Sequence, residues 1–119
     1  MKYLKKFNES ISKPSRQIIE DICLELKDIG LDYEIWYDTD IHIEKLGINN
    51  KFKWEEVKDC VLRLKDYIGD YLIRIKFLTE YDDDYNDITF TDSDNLDSKT
   101  KIDGDIFLIK IICSSVFGD

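Results

Sequence analysis

Two stretches of this chain carry the same order of signals: apolar residues at helical spacing, a glycine stop, then alternating residues. Leu24-Glu25-Leu26-Lys27-Asp28-Ile29-Gly30 precedes Tyr33, and Leu62-Arg63-Leu64-Lys65-Asp66-Tyr67-Ile68-Gly69 precedes Tyr71, about 38 residues on with a one-residue slip. The order suggests two α-β-β units facing one sheet. Any helix, glycine and strand in succession look alike, and two copies fall short of an array. Both explanations predict one architecture.

Ser15 can cap a first helix running to about Ile29, with Gly30 as its left-handed stop. Ile19, Ile22, Leu26 and Ile29 form its seam, widened by Ile18 and Cys23. Residues 32–38 alternate as a half-buried strand, and the pair Thr39-Asp40 turns it into a second strand at 41–44. Gly47 and Asn49-Asn50 mark a loop before a second helix near 53–68, whose stripe is Trp54, Val57, Val61, Leu64 and Ile68. In the following strand, near 71–78, Ile73, Ile75 and Phe77 are expected to point one way. Residues 106–113 are apolar on both faces, which predicts a central strand with helices over one side and some apolar contact over the other. The expected fold is α+β, two helices packed on a four- to five-stranded mixed or antiparallel sheet.

At 119 residues, 43% of them hydrophobic, the chain is sized for one domain with a single core. Cys23, Cys60 and Cys113 lack metal-ligand spacing and read as buried free thiols of a reducing cytosol. No apolar run approaches a membrane span, and the N-terminus lacks the apolar stretch of a secretory signal, so the expectation is a soluble, intracellular protein.

Charge divides the chain. Lys2, Lys5, Lys6, Lys13 and Arg16 against Glu9 give residues 1–16 a net charge of +4, leaving −13 on the rest. A basic leader, residues 1–14, thus precedes a single acidic domain, residues 15–119. Leu4, Phe7 and Ile11 share one helical stripe of that leader. Its opening Met-Lys, its apolar anchors and its Phe7-Asn8-Glu9 ending resemble the capsid-targeting sequences of internal head proteins in T-even-like tailed phages. The run Lys5-Lys6-Phe7-Asn8-Glu9-Ser10 is also similar to the start of many small accessory proteins of large tailed phages. That resemblance implies cleavage after Glu9, Ser10 as the new N-terminus, residence in the host bacterial cytoplasm and packaging in the virion. It extends over about a tenth of the chain.

Residues 80–105 hold ten acidic residues against Lys99 and Lys101, a net charge of −8, and read as a long acidic loop with a short edge strand at 88–91. Asp82, Asp83, Asp84, Asp87, Asp92 and Asp94, interleaved with Tyr85 and Phe90, form a candidate contact surface for a host protein with a basic groove. A domain this acidic repels phosphate backbones, which argues against direct nucleic-acid binding. Asp82, Asp84 and Asn86 fit the first positions of a calcium loop, but Asp87 stands where the glycine belongs and Ser93 where the final Glu belongs. His42, the only histidine, shares a sheet face with Glu34, Trp36, Glu44, Arg74 and Lys76, a group read as a second contact surface without catalytic duty. No phosphate loop, HExxH or nucleophile elbow occurs.

The sequence therefore reads as a phage-encoded acidic binding protein, not an enzyme. It would inhibit or modulate a host nucleic-acid-handling or defence protein, of anti-restriction or anti-CRISPR type, by protein–protein contact. It would use no cofactor and no membrane, with its oligomeric state left open. The alternative is a packaged structural or scaffolding accessory of the phage particle, and the second alternative is a metal-dependent enzyme.

Overall fold

The computed structural model describes residues 13–91 and 96–118. Phe7, Glu9 and Ser10 of the leader, and Asp92 and Asp94 of the acidic segment, lie outside the described residues.

Helix α1, Arg16–Asp28, begins at Ser15, whose hydroxyl accepts from the Ile18 amide at 3.4 Å, and ends before Gly30 at φ +83°. Ile19, Cys23 and Leu26 form its buried seam, while Ile18 and Ile29 stay exposed, so the stripe is narrower than expected. Ile29 is the cap residue, already outside the helical geometry that would carry it inward. Strands β1, Asp32–Trp36, and β2, Asp40–Glu44, form a hairpin.

Helix α2, Trp54–Ile68, buries Trp54, Val57, Cys60, Val61, Leu64 and Ile68. The Glu56 carboxylate accepts from the Lys53 amide at 2.8 Å, which satisfies one of the donors left over at the helix start. A short 3-10 turn at Gly69–Tyr71 leads into β3, Leu72–Tyr81, which pairs with β4, Asp84–Thr91. The last strand, β5, is Asp105–Cys113.

All pairings are antiparallel, in the order β1-β2-β5-β3-β4. The strand read as apolar on both faces is the central one. β5 enters between two hairpins that do not otherwise meet, so its backbone groups close both ladders at once. The α-β-β order occurs twice, but in the first unit the second strand borders β5 and in the second unit the first strand does. The element order repeats and the spatial arrangement does not.

Helices α1 and α2 pack on one face of the sheet, over Ile41, Ile43, Ile75, Phe77, Ile109 and Ile111, all almost fully buried. Trp54 meets Phe77 edge-on at 5.4 Å, and its indole donates to the Thr100 carbonyl at 2.9 Å. Two register shifts break the ladder between β3 and β5. One leaves Ile73 without a partner and exposed while Leu72 turns inward; the other inserts Phe107. The expected alternation at Ile73 is displaced by that bulge.

The segment 80–105 is not one long loop. Its first half is hairpin, with β4 beginning at Asp84. In its second half Leu96 is buried against the core. Asp97 folds the chain back there, accepting from the Lys99 amide at 2.8 Å, while its own amide donates to the Thr100 hydroxyl at 2.9 Å.

Candidate contact surfaces

The β3–β4 hairpin closes through Asp82 and Asp83 between the paired residues Tyr81 and Asp84. Both turn residues have positive φ, +53° and +68°. A two-residue hairpin turn with both central residues in this region matches the twist of the flanking strands, and Asn-Gly, Asp-Gly and Gly-Gly are its favoured sequences because they adopt positive φ at little cost. Asp82 suits the first position, whereas a second carboxylate at Asp83, where glycine is favoured, is a poor choice for folding. Among the described residues no ion pair reaches Asp82, Asp83 or Asp84.

The tyrosines on either side are 58% (Tyr81) and 71% (Tyr85) exposed. Tyr85 stacks on Phe107 at 5.3 Å, and the Lys51 ammonium lies 5.8 Å from the centre of the Phe107 ring. Lys51 also pairs with the mostly buried Glu80 carboxylate, and this hydrogen bond holds the ammonium above the ordinary lysine range. The bulge that extrudes Phe107 thus builds the aromatic layer beneath Tyr85. The Lys51 and Glu80 pair also ties the loop at 45–50 to this end of the sheet. That loop brings Leu46 and Ile48, the latter fully exposed, to the same end. Sequence reasoning missed both; the available signal was two aliphatic residues flanking Gly47 with neither helical nor strand periodicity.

Trp36 and His42 form a separate surface. One paired row across the face opposite α1 and α2 reads Glu34, His42, Lys110, Lys76, Thr89. This confirms that His42 shares a face with Glu34 and Lys76; Trp36, Glu44 and Arg74 lie in neighbouring rows of the same face. His42 stacks on Trp36 at 5.3 Å, and the Trp36 indole donates to Glu34 at 3.3 Å. Burial first, then the Lys110 charge, lowers the imidazole pKa below its ordinary 6.5. Beside Trp36, the turn residue Tyr37 has φ +57° and is 82% exposed.

The candidate residues therefore divide three ways. Asp82, Asp83, Asp84, Tyr85 and Asp87 gather at the hairpin end, where Asp87 pairs with Lys76 at 3.4 Å. Trp36 sits at the opposite corner, about 24 Å along the strands and about 19 Å across them from Asp84 by ideal strand spacings, with His42 beside it on β2. Phe90 belongs to neither surface: it turns to the helix side and meets Phe77 edge-on at 5.8 Å. It packs, partly buried, against the core, because β4 alternates and Ile88 and Phe90 occupy its inner positions.

Among the described residues no group of three or more His, Cys, Asp or Glu side chains is placed to hold a metal ion, and no helix is long and apolar enough to cross a membrane. No protein-family model, curated protein or solved structure matches the chain.

Proposed function

We propose that this chain is a small acidic binding protein, phage-encoded, that engages a basic surface of a host nucleic-acid-handling or defence protein through the β3–β4 turn. The observation that carries the reading is the turn itself. Asp83 occupies a positive-φ position that this turn type favours filling with glycine, it directly follows the like-charged Asp82, and among the described residues no ion pair reaches Asp82, Asp83 or Asp84. Their mutual repulsion works against the hairpin, and a basic partner would relieve it. Tyr81 and Tyr85 are rigid amphipathic anchors of the type enriched at binding hot spots, and Leu46 and Ile48 add apolar area at the same end.

The test replaces Asp82→Asn, Asp83→Gly and Asp84→Asn together. Folding stability should rise by about 1 kcal/mol, since the turn gains its preferred residues and loses like-charge repulsion. Capture of a basic partner from host lysate at low salt should fall, by on the order of 2 kcal/mol for each desolvated charge pair lost, and its salt dependence should flatten. Unchanged capture and salt slope would make the turn a solubilising surface.

A second reading, a packaged accessory of the phage particle, is favoured by the Phe7-Asn8-Glu9 leader ending. N-terminal analysis of particle-associated protein separates the two. Ser10 as first residue supports packaging, whereas an intact Met1, or absence from particles, removes it.

A further inference from the structure

The sheet face opposite α1 and α2 carries an apolar seam and a divided charge. Leu108 and Ile112 lie along β5, half-buried, with Leu78 beside them on β3. No described element covers them. To one side β2 presents Asp40 and Glu44; to the other β3 presents Arg74 and Lys76. Asp40 accepts from the Thr39 hydroxyl at 2.9 Å, yet among the described residues neither Asp40 nor Arg74 forms an ion pair.

We infer that this face is a self-association surface, and that its occupant is a second copy of this chain related by a two-fold axis running along β5. Asp40 and Arg74 belong to the same paired row, one strand to either side of Ile112. Rotation about β5 lays the β2 of each copy over the β3 of the other. Asp40 of one copy then stands opposite Arg74 of its partner, twice per dimer, and the Ile112 and Leu108 side chains meet their own counterparts. An in-plane axis perpendicular to the strands would instead stack β2 on β2 and bring acidic groups together. Charge complementarity therefore selects one axis.

The face has an intrinsic weakness, because Lys110 lies on the axis between Leu108 and Ile112 and meets its own copy. Its area is also modest. Five strands at ideal spacing and the paired rows along them make a face about 20 Å on each side, small beside the ~800 Å² per partner of a standard interface. The dimer is accordingly weak rather than obligate. Its geometry puts both acidic hairpin turns at the same end, roughly 20 Å apart by strand and sheet spacings.

Sedimentation equilibrium of the full chain over a concentration series, with circular dichroism as the folding control, tests the arrangement. The wild type should show a monomer–dimer equilibrium. Asp40→Arg and Arg74→Asp should each weaken it roughly tenfold or more, by placing like charges opposite one another. The double variant should recover much of the affinity, and Lys110→Gln should tighten the dimer. If a reversal disturbs folding, Asp40→Asn and Arg74→Gln make the same comparison with smaller expected losses. A protein that stays monomeric, a dimer indifferent to both reversals, or a double variant no better than either single one would overturn the inference.

Discussion

Gly104 should prove the least replaceable glycine in the fold, because it locks the returning chain against the base of the acidic hairpin. An added Cβ there would lie 2.5 Å from the Glu80 carbonyl oxygen and 3.2 Å from the Tyr81 Cβ, at a backbone φ of +86°. Two costs combine in Gly104→Ala. Holding a non-glycine residue at positive φ costs about 1 kcal/mol, and moving backbone of a paired strand to relieve the overlap adds a further strain of about 1–3 kcal/mol. The expected loss is therefore about 2–4 kcal/mol, or about 3–5 °C in Tm for each kcal/mol at this size. Gly30 provides the matched control: its φ is +83° and nothing lies within 4 Å of its would-be Cβ, so Gly30→Ala should lose only the first part. Urea unfolding of both variants isolates the steric contribution as their difference. Equal losses would show that the close approach of Gly104 to β3 contributes nothing, and the clamp on the hairpin base would have to be abandoned.

Other consequences follow from buried groups. Cys23, Cys60 and Cys113 should resist thiol reagents at pH 8 in the folded protein and react together on unfolding; early labelling of any one would contradict its burial. Burial pushes the Cys113 thiol up to about 12 from an ordinary 9.0. Its contribution to stability is therefore full below pH 9.0 and is lost as pH rises toward the folded value, which urea titrations at pH 8 and pH 10.5, with Cys113→Ala as reference, will check. His42 has the opposite sign. Its folded pKa lies below 6.5, so its contribution is present above pH 6.5 and declines as pH falls through the folded value. NMR titration of the imidazole should show the depressed midpoint, and His42→Ala should leave partner capture within a few-fold. Trp54→Ala should cost about 3–5 kcal/mol, because it removes a buried ring that touches Phe77 and holds the Thr100 carbonyl. Amide exchange should then rise first around residues 96–101.

The helices were legible because their signals are local and redundant. Ser15, Gly30 and Gly69 mark boundaries, and the stripe from Trp54 to Ile68 fits only one period. The central place of β5 was legible for a different reason: a strand apolar on both faces fits no edge. Strand β4 was mostly hidden, since Asp84, Asn86 and Asp87 have low strand propensity and are held there by pairing with β3. That pairing also decides the role of Phe90. Counting back from Phe90 through Ile88 gives the inward positions, but only once the strand is known to start at Asp84. Ile73 was misplaced because a bulge has no signature in a run of alternating apolar residues. The order β1-β2-β5-β3-β4 was beyond reach, as nothing local tells the last strand to enter between two hairpins. The division of the candidate residues between two corners of the sheet depends on that order.

The placement of ion pairs gives the acidic composition a physical direction. Arg16 serves Glu20 and Asp38, Lys27 serves Asp32, Lys53 serves Asp105 and Arg63 serves Glu25. Exposed pairs of this kind contribute little to stability, about 0–1 kcal/mol each, so the arrangement is not explained by folding strength. What it does is pair the helices with each other and with the strand ends near them, while Asp21, Asp28, Asp59 and Asp66 stay outside any ion pair among the described residues. Lys51 and Lys76 reach the hairpin only at Glu80 and Asp87, short of its turn. The carboxylates of Asp82, Asp83 and Asp84 are left as a concentrated charge at one extremity, close to two exposed tyrosines. Among the described residues a charge so placed has little compensation, and under the proposed function it would steer encounter with a cationic surface.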